Sequence, residues 1–99
     1  MTAQSWKLMQ QERLVGTLTF ESQDMFWSDC RFAPAPAWEE LRPLFTKSRD
    51  AWLSGDTEAA LEADEAIHAV GLILLPSDGG VPITEFLLRI DGDEARFRY

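Results

Sequence analysis

The sequence predicts an α+β domain in which an antiparallel sheet of about five to six strands carries two helices on one face, in the order β-β-β-α-α-β-β-β. Three observations support this prediction. Segments with strand periodicity occupy both ends of the chain, and two segments with helical periodicity lie between them. Asp91-Gly92, near the C-terminus, is a dipeptide typical of tight hairpin turns. The length of 99 residues suits one core, so we expect residues 1–99 to form a single domain.

The first three strands are expected at residues 6–10, 14–20 and 26–32, with polar turns at 11–13 and 21–24. In the second segment every other residue is apolar or glycine. This alternation predicts a core-facing side that consists of Leu14, Gly16, Leu18 and Phe20.

Alternation in the third segment separates two sets of side chains. The apolar set, on the side expected to face the core, is Phe26, Cys30 and Phe32. The opposite set is Trp27, Asp29 and Arg31. Because Trp27 lies with charged residues, we expect it either to pack under the first helix or to be partly exposed as a binding anchor.

Two helices are expected in the middle of the chain. Residues 38–53 follow helical spacing, and Pro43 within them predicts a kink or a break into two short helices. Ser54-Gly55 ends the first helix, and Asp56 can cap the second, which covers residues 57–70. The second helix has alanines on one side and, on the other, three glutamates: Glu58, Glu62 and Glu65.

The C-terminal part predicts three more strand segments. The apolar run 72–75 predicts a buried strand in the interior of the sheet, with an open edge supplied by the N-terminal strands or by residues 97–99. A two-residue turn at Asp91-Gly92 sets a hairpin register, with these pairs: Leu88 with Ala95, Phe86 with Phe97, Ile90 with Asp93, Arg89 with Glu94, and Glu85 with Arg98.

Composition places the chain among ordinary globular proteins, since 45% of its residues are hydrophobic and 26% are charged. The longest apolar run is too short to span a membrane, and residues 1–13 lack a secretory h-region, so we expect a cytoplasmic protein. The net charge is −8, and residues 51–99 carry ten acids against three bases. Such a surface disfavours direct nucleic-acid binding and attracts basic partners, although solubility alone also explains it.

Few residues offer reactive chemistry. His68 is the sole histidine and follows Asp64 by one helical turn, and Cys30 is the sole cysteine. An Asp–His pair beside a thiol would suggest nucleophilic catalysis, but Cys30 is expected on the apolar side of its strand, where thiols are buried and inert. Glu65 and His68 form one Glu-x-x-His spacing, whereas di-metal carboxylate sites use two. We therefore predict no catalytic residue, no metal and no cofactor.

Four parts of the chain are rich in aromatic and turn residues: Trp6, Gly16-Thr17-Leu18, Asp24-Met25-Phe26-Trp27 with Phe32-Ala33-Pro34, and Phe86-Leu87-Leu88-Arg89-Ile90-Asp91-Gly92-Asp93 with Phe97-Arg98-Tyr99. Together they resemble a family of short, uncharacterised bacterial proteins of unknown function. The resemblance implies a bacterial cytosolic domain, and it brings no established activity and no catalytic residues.

The preferred functional hypothesis is a small acidic, non-enzymatic module that binds a basic protein through Glu58, Glu62 and Glu65. A specific version is an immunity or antitoxin-like inhibitor that covers a basic active site. The alternative is a small-molecule binder or minor enzyme with an aromatic pocket between sheet and helices. That pocket would use Trp27, Trp38 and Trp52, with Asp29 or Arg31 as the polar group. The chain is expected to be a monomer or an edge-strand homodimer.

Overall fold

The computed structural model describes residues 4–99, which form six strands and two helices. In chain order these are β1 Ser5–Gln10, β2 Arg13–Asp24, β3 Trp27–Pro34, α1 Trp38–Ser54, α2 Thr57–Ala69, β4 Leu72–Pro76, β5 Leu87–Asp91 and β6 Glu94–Arg98. The predicted fold class, with its element order β-β-β-α-α-β-β-β, is confirmed.

The strands form one antiparallel sheet in the order β4-β1-β2-β3-β6-β5. The prediction of an interior strand at 72–75 is wrong, because β4 lies at an edge of the sheet. Among residues 4–99, its outer side forms only an isolated bridge, from Leu74 to Ile83. The predicted open edges are wrong as well, since β5 is the other edge strand and β1, β2 and β6 are all interior. An apolar run indicates that both faces of a strand are buried, but it does not indicate whether the strand pairs with one neighbouring strand or with two.

The sheet is curled rather than flat. Trp6 of β1 and Phe97 of β6 contact each other with ring centroids 4.9 Å apart, although two strands lie between them. In a flat sheet, three strand spacings of about 4.8 Å would keep these backbones about 14 Å apart. Helix α1 packs against the concave side, where Trp38 meets Phe32 at 4.8 Å. The buried cluster is Trp6, Leu8, Val15, Leu18, Cys30, Phe32, Trp38, Leu41, Phe45, Ile67, Leu72, Leu74, Leu88, Ile90, Ala95 and Phe97.

A β-bulge in β2 changes which of its side chains reach the core. Leu8 pairs with Gly16 and Met9 pairs with Leu14, so Val15 is an extra residue between the two pairs. Val15 is fully buried and Leu14 is exposed, which contradicts the predicted core position of Leu14. Gly16 is buried as predicted, because the bulge affects only the residues that precede it and the alternation of core-facing residues continues from Gly16 onward.

The hairpin between β2 and β3 is longer than predicted. Residues 21–24 continue β2 instead of forming a turn, and Met25-Phe26 makes the turn with a positive φ of 54° at Met25. Phe26 is therefore 71% exposed and does not share the buried face of Cys30 and Phe32. A polar composition indicated a turn here, but residues 21–24 are exposed, and an exposed end of a strand requires no apolar face.

The first helix is continuous, so, of the two alternatives predicted at Pro43, the break into two short helices is wrong. Pro43 is the sixth residue of α1, and its missing N–H leaves only the carbonyl of Glu39 without a helical partner. Both residues are exposed, so water can hydrate that carbonyl. The helix ends at Gly55 with φ 78°, and Asp56 caps α2 by accepting a hydrogen bond from Ala59 N at 3.1 Å, as predicted.

The C-terminal hairpin has the predicted faces but a different register. Leu88 pairs with Phe97 and Ile90 pairs with Ala95, which shifts the predicted pairing by two residues. The turn residues are Gly92 and Asp93, and only the glycine has a positive φ, of 64°. This pattern fits a type II′ turn, in which glycine takes the first central position. A shift of two residues preserves the side to which each side chain points, but it changes every partner.

Candidate functional site

The outer side of α2 forms a surface that we call the acidic face, defined by Glu58, Leu61, Glu62 and Glu65. Helical periodicity of about 100° per residue brings these side chains to one side, and all four are exposed. The buried residues Ala60, Ala63 and Ile67 lie on the opposite side. The predicted separation of alanines from glutamates is therefore confirmed.

The charge of the acidic face is not neutralised within the described part of the chain. None of its three glutamates forms an ion pair or a side-chain hydrogen bond with residues 4–99. The neighbouring arginines of α1 have other partners: Arg42 pairs with Glu39 at 3.2 Å, and Arg49 pairs with Asp91 at 2.7 Å. Leu61 adds an apolar side chain that is 54% exposed.

The remaining titratable groups of α2 have structural partners. Asp64 accepts a hydrogen bond of 2.9 Å from the hydroxyl of Ser48, a buried residue of α1. His68 Nε2 lies 3.7 Å from Glu85 Oε2. The sequence suggested that Asp64 and His68 could pair with each other, but each has its contact elsewhere. These groups therefore join elements rather than form a reactive pair.

A second region of interest centres on Trp27 at the start of β3. The side chain is half-buried, and three guanidinium carbons lie over its ring: Arg89 at 4.9 Å, Arg96 at 5.0 Å and Arg98 at 5.7 Å. Arginine side chains therefore cover Trp27. The neighbouring Phe26 is more exposed than Trp27.

Arg96 and Arg89 are direct cross-strand neighbours in β6 and β5. Like charges in that position repel each other. The charge of Arg96 is balanced by two carboxylates, since its Nε lies 3.0 Å from Asp29 Oδ1 and its Nη2 lies 3.1 Å from Asp24 Oδ2. Arg89 forms no ion pair with residues 4–99, and its guanidinium carbon instead lies near two tryptophan rings, 4.9 Å from the centroid of Trp27 and 4.3 Å from that of Trp52.

Arg89 and Arg96 border a cavity of about 570 Å³ between the C-terminal half of α1 and strands β2, β3, β5 and β6. Trp52, Asp29 and Arg89 line it. Of the residues predicted for an aromatic pocket, Trp52 and Asp29 lie in the lining of this cavity, and Trp27 does not. The predicted Trp38 is instead buried in the core. Arg31 does not line the cavity, and its guanidinium lies 3.5 Å from Glu21 and 3.9 Å from Asp93.

Arg89 is the residue that sequence reasoning missed. The predicted register placed Glu94 opposite Arg89 and so assigned it an ordinary surface ion pair. The observed register places Arg96 there, and the C-terminal end of α1 adds Trp52. The spacing of Arg89, Arg96 and Arg98 on one side of the hairpin was a usable signal, because three like charges at alternate positions need partners from outside the hairpin.

Cys30 also lines the cavity, but its thiol is poorly suited to nucleophilic chemistry. The side chain is 2% exposed, as predicted for the apolar side of β3. Burial raises the pKa of the Cys30 thiol from 9.0 to about 12, and the carboxylates of Asp29 and Glu21 add to this rise. Since the thiolate is the reactive form, the environment suppresses reactivity at neutral pH.

The Cys30 pKa leads to a measurable expectation. At pH 8 the folded protein should react with iodoacetamide about 1,000-fold more slowly than the urea-unfolded chain, because three pKa units reduce the thiolate fraction by that factor. The native rate should keep rising as the pH is raised above 9, whereas the rate of the unfolded chain should level off there, because the pKa of the thiol is raised only in the folded state. A native rate within tenfold of the unfolded rate at pH 8 would contradict this assignment.

Two further properties bear on the kind of site. Within residues 4–99, no three histidine, cysteine, aspartate or glutamate side chains are grouped so that they could hold a metal ion. Neither α1 nor α2 is long and apolar enough to cross a membrane.

Comparison of the chain with models of protein families, with curated proteins and with solved structures finds no match. The resemblance to short bacterial proteins therefore stays a prediction.

Proposed function

We infer that this protein is a non-enzymatic interaction module that binds a basic protein partner through the acidic face of α2. The observation that carries the proposal is the set of three exposed glutamates on one side of α2 with no cationic partner among residues 4–99. The bacterial and cytoplasmic setting is part of the same proposal, and it rests on the sequence alone.

The energetics of α2 favour a cationic partner. Glu58 and Glu62 are four residues apart, and Glu62 and Glu65 are three apart, so each pair repels by about 0.2–0.5 kcal/mol. A basic surface would relieve this repulsion and would also be drawn to a chain of net charge −8. Leu61, on the same face, is exposed and could add an apolar contact with the partner to the charged ones.

A narrower form of the proposal is an immunity or antitoxin-like inhibitor. Such a protein would place its carboxylates over a basic active site that otherwise receives phosphate groups. Binding of this kind should weaken as salt rises, and nucleic acid should compete for the partner.

The test is affinity capture from a lysate of the source cell at low and at physiological salt. The captured protein should be basic and stoichiometric, and the variant Glu58→Lys/Glu62→Lys/Glu65→Lys should lose it, because the contact charges are reversed. The control Glu12→Lys/Glu39→Lys/Asp93→Lys changes net charge equally at exposed positions away from α2 and should retain the partner. Equal loss in both variants, or binding that is insensitive to salt and to the α2 changes, would exclude the proposal.

A stability measurement shows that lost binding does not reflect lost folding. Glu62→Lys replaces two repulsive helical pairs with attractive ones, so urea unfolding should show a gain of about 1 kcal/mol. A variant that is more stable yet binds less tightly assigns Glu62 to the contact surface.

A further inference from the structure

We propose that the cavity beside α1 is a binding site for a small organic monoanion, a carboxylate with an apolar body, whose charged group is held by the edge of the Arg89 guanidinium. This site is separate from the acidic face, and the proposal does not depend on the proposed protein partner.

The first step of the argument is the geometry of Arg89. Its guanidinium carbon lies 4.3 Å from the centroid of the Trp52 ring and 4.9 Å from the centroid of the Trp27 ring, so it contacts two aromatic groups. No side chain of residues 4–99 accepts a hydrogen bond from its five N–H groups. The edge of a guanidinium matches the two oxygens of a carboxylate, and the two rings limit the motion of this one.

The second step is the placement of two arginines opposite each other. Arg89 and Arg96 are directly paired across β5 and β6, and Arg96 alone receives carboxylates, from Asp24 and Asp29. The Trp27 and Trp52 rings attract the charge of Arg89 but do not neutralise it. An anion in the cavity would supply the missing charge and would remove the cross-strand repulsion.

The third step concerns the charge of the ligand. Three arginines line the cavity, together with five carboxylates: Glu21, Asp24, Asp29, Asp91 and Glu94. Four of these carboxylates already lie within ion-pair distance of an arginine, at 2.7–3.5 Å. One ligand charge would be balanced by Arg89, which has no ion pair among residues 4–99, whereas each further charge would meet only repulsion from these carboxylates. A single negative charge therefore fits better than a phosphate or a dicarboxylate.

The fourth step concerns the body of the ligand. The volume of about 570 Å³ falls within the range of about 300–1,000 Å³ that is usual for small-molecule sites. The lining combines the apolar side chains of Phe45, Trp52, Leu53 and Ile90 with the charged groups above. A planar apolar body next to Trp52 and Ile90 would therefore leave its carboxylate at Arg89.

The test uses NMR titrations of the folded protein with benzoate, benzamide, benzylamine and inorganic phosphate. Benzoate is expected to shift the Arg89 Nε–H and Trp52 Nε1–H resonances, and the latter is a sensitive reporter because this buried nitrogen has no acceptor among residues 4–99. The affinity for benzoate should exceed that for benzamide and for benzylamine at least tenfold, and phosphate should cause no shifts at these two groups.

Two variants separate the roles of the arginines. Arg89→Gln should weaken benzoate binding at least tenfold. Arg98 also lies over Trp27 but does not line the cavity, so Arg98→Gln should change the affinity for benzoate less than twofold. If Arg89→Gln unfolds the chain, the comparison of benzoate with the uncharged benzamide in the unmodified protein still tests whether the site requires a negative charge. Equal affinity for benzamide, preference for benzylamine, shifts confined to other regions, or no shifts with any probe would each overturn the proposal.

Discussion

Replacing Phe97 with alanine is expected to lower the free energy of unfolding by about 3–5 kcal/mol, a large part of the stability of a domain of this size. Phe97 is fully buried, and its ring meets that of Trp6 edge-on, with an interplanar angle of 79°. This contact connects two strands that are not neighbours in the sheet, so it holds the curl that encloses the core. Truncation removes the aromatic pair and leaves a cavity that rigid strands cannot close.

Urea unfolding followed by tryptophan fluorescence measures this effect. The matched control is Tyr99→Ala, because Tyr99 stacks on Phe97 with ring centroids 6.0 Å apart but is 83% exposed. Its loss should change stability by no more than about 0.5 kcal/mol. A cost below about 1.5 kcal/mol for Phe97→Ala would mean that the ring does not close a curled sheet.

Features set by neighbouring residues were predicted well from the sequence. The α2 helix begins at an Asp56 cap that bonds the amide three residues later, and its buried and acidic sides follow from a fixed rotation per residue. The buried position of Cys30 followed from alternation within one strand. Each of these features depends on contacts within a few residues along the chain, so one sequence contains the relevant information.

Features set by distant pairings were predicted poorly. The apolar run in β4 gave its burial but not its place at the sheet edge, which depends on where the chain crosses after α2. In the last hairpin, Asp91-Gly92-Asp93 permits two turns whose positions differ by one residue and whose strand pairings differ by two. Arg96 also lies opposite Asp29 of β3, an interaction that the hairpin sequence alone does not contain.

The cavity shows the same limit most directly. Its main feature, Arg89 beside Trp27 and Trp52, combines residues from β5, β3 and α1. A sequence pattern could nominate the tryptophans as pocket residues. It could not nominate the arginine, because that role follows from the hairpin register and from the position at which α1 ends against β5.

Gly16→Ala is expected to lower the free energy of unfolding by about 2–3 kcal/mol, through crowding alone. The φ of Gly16 is not positive, so its backbone conformation suits any residue. A Cβ at this position, however, would lie 2.6 Å from Cζ of Phe32, closer still to its Cε1, and 2.9 Å from the carbonyl oxygen of Ala33. The Phe32 ring cannot move aside easily, because it is buried and packs on Trp38.

A double-mutant cycle with Phe32→Leu identifies the cause, with urea unfolding as the measurement. Leucine lacks the two ring atoms that the new Cβ would meet, so Gly16→Ala should cost about 1 kcal/mol or less in the Phe32→Leu background. The remaining cost comes from the Ala33 carbonyl, which no side-chain change removes. Additive costs would show that the Phe32 ring does not occupy the space above Gly16. A coupling of about 1 kcal/mol or more would show that glycine is required there because an aromatic ring from the neighbouring strand fills the place of its side chain.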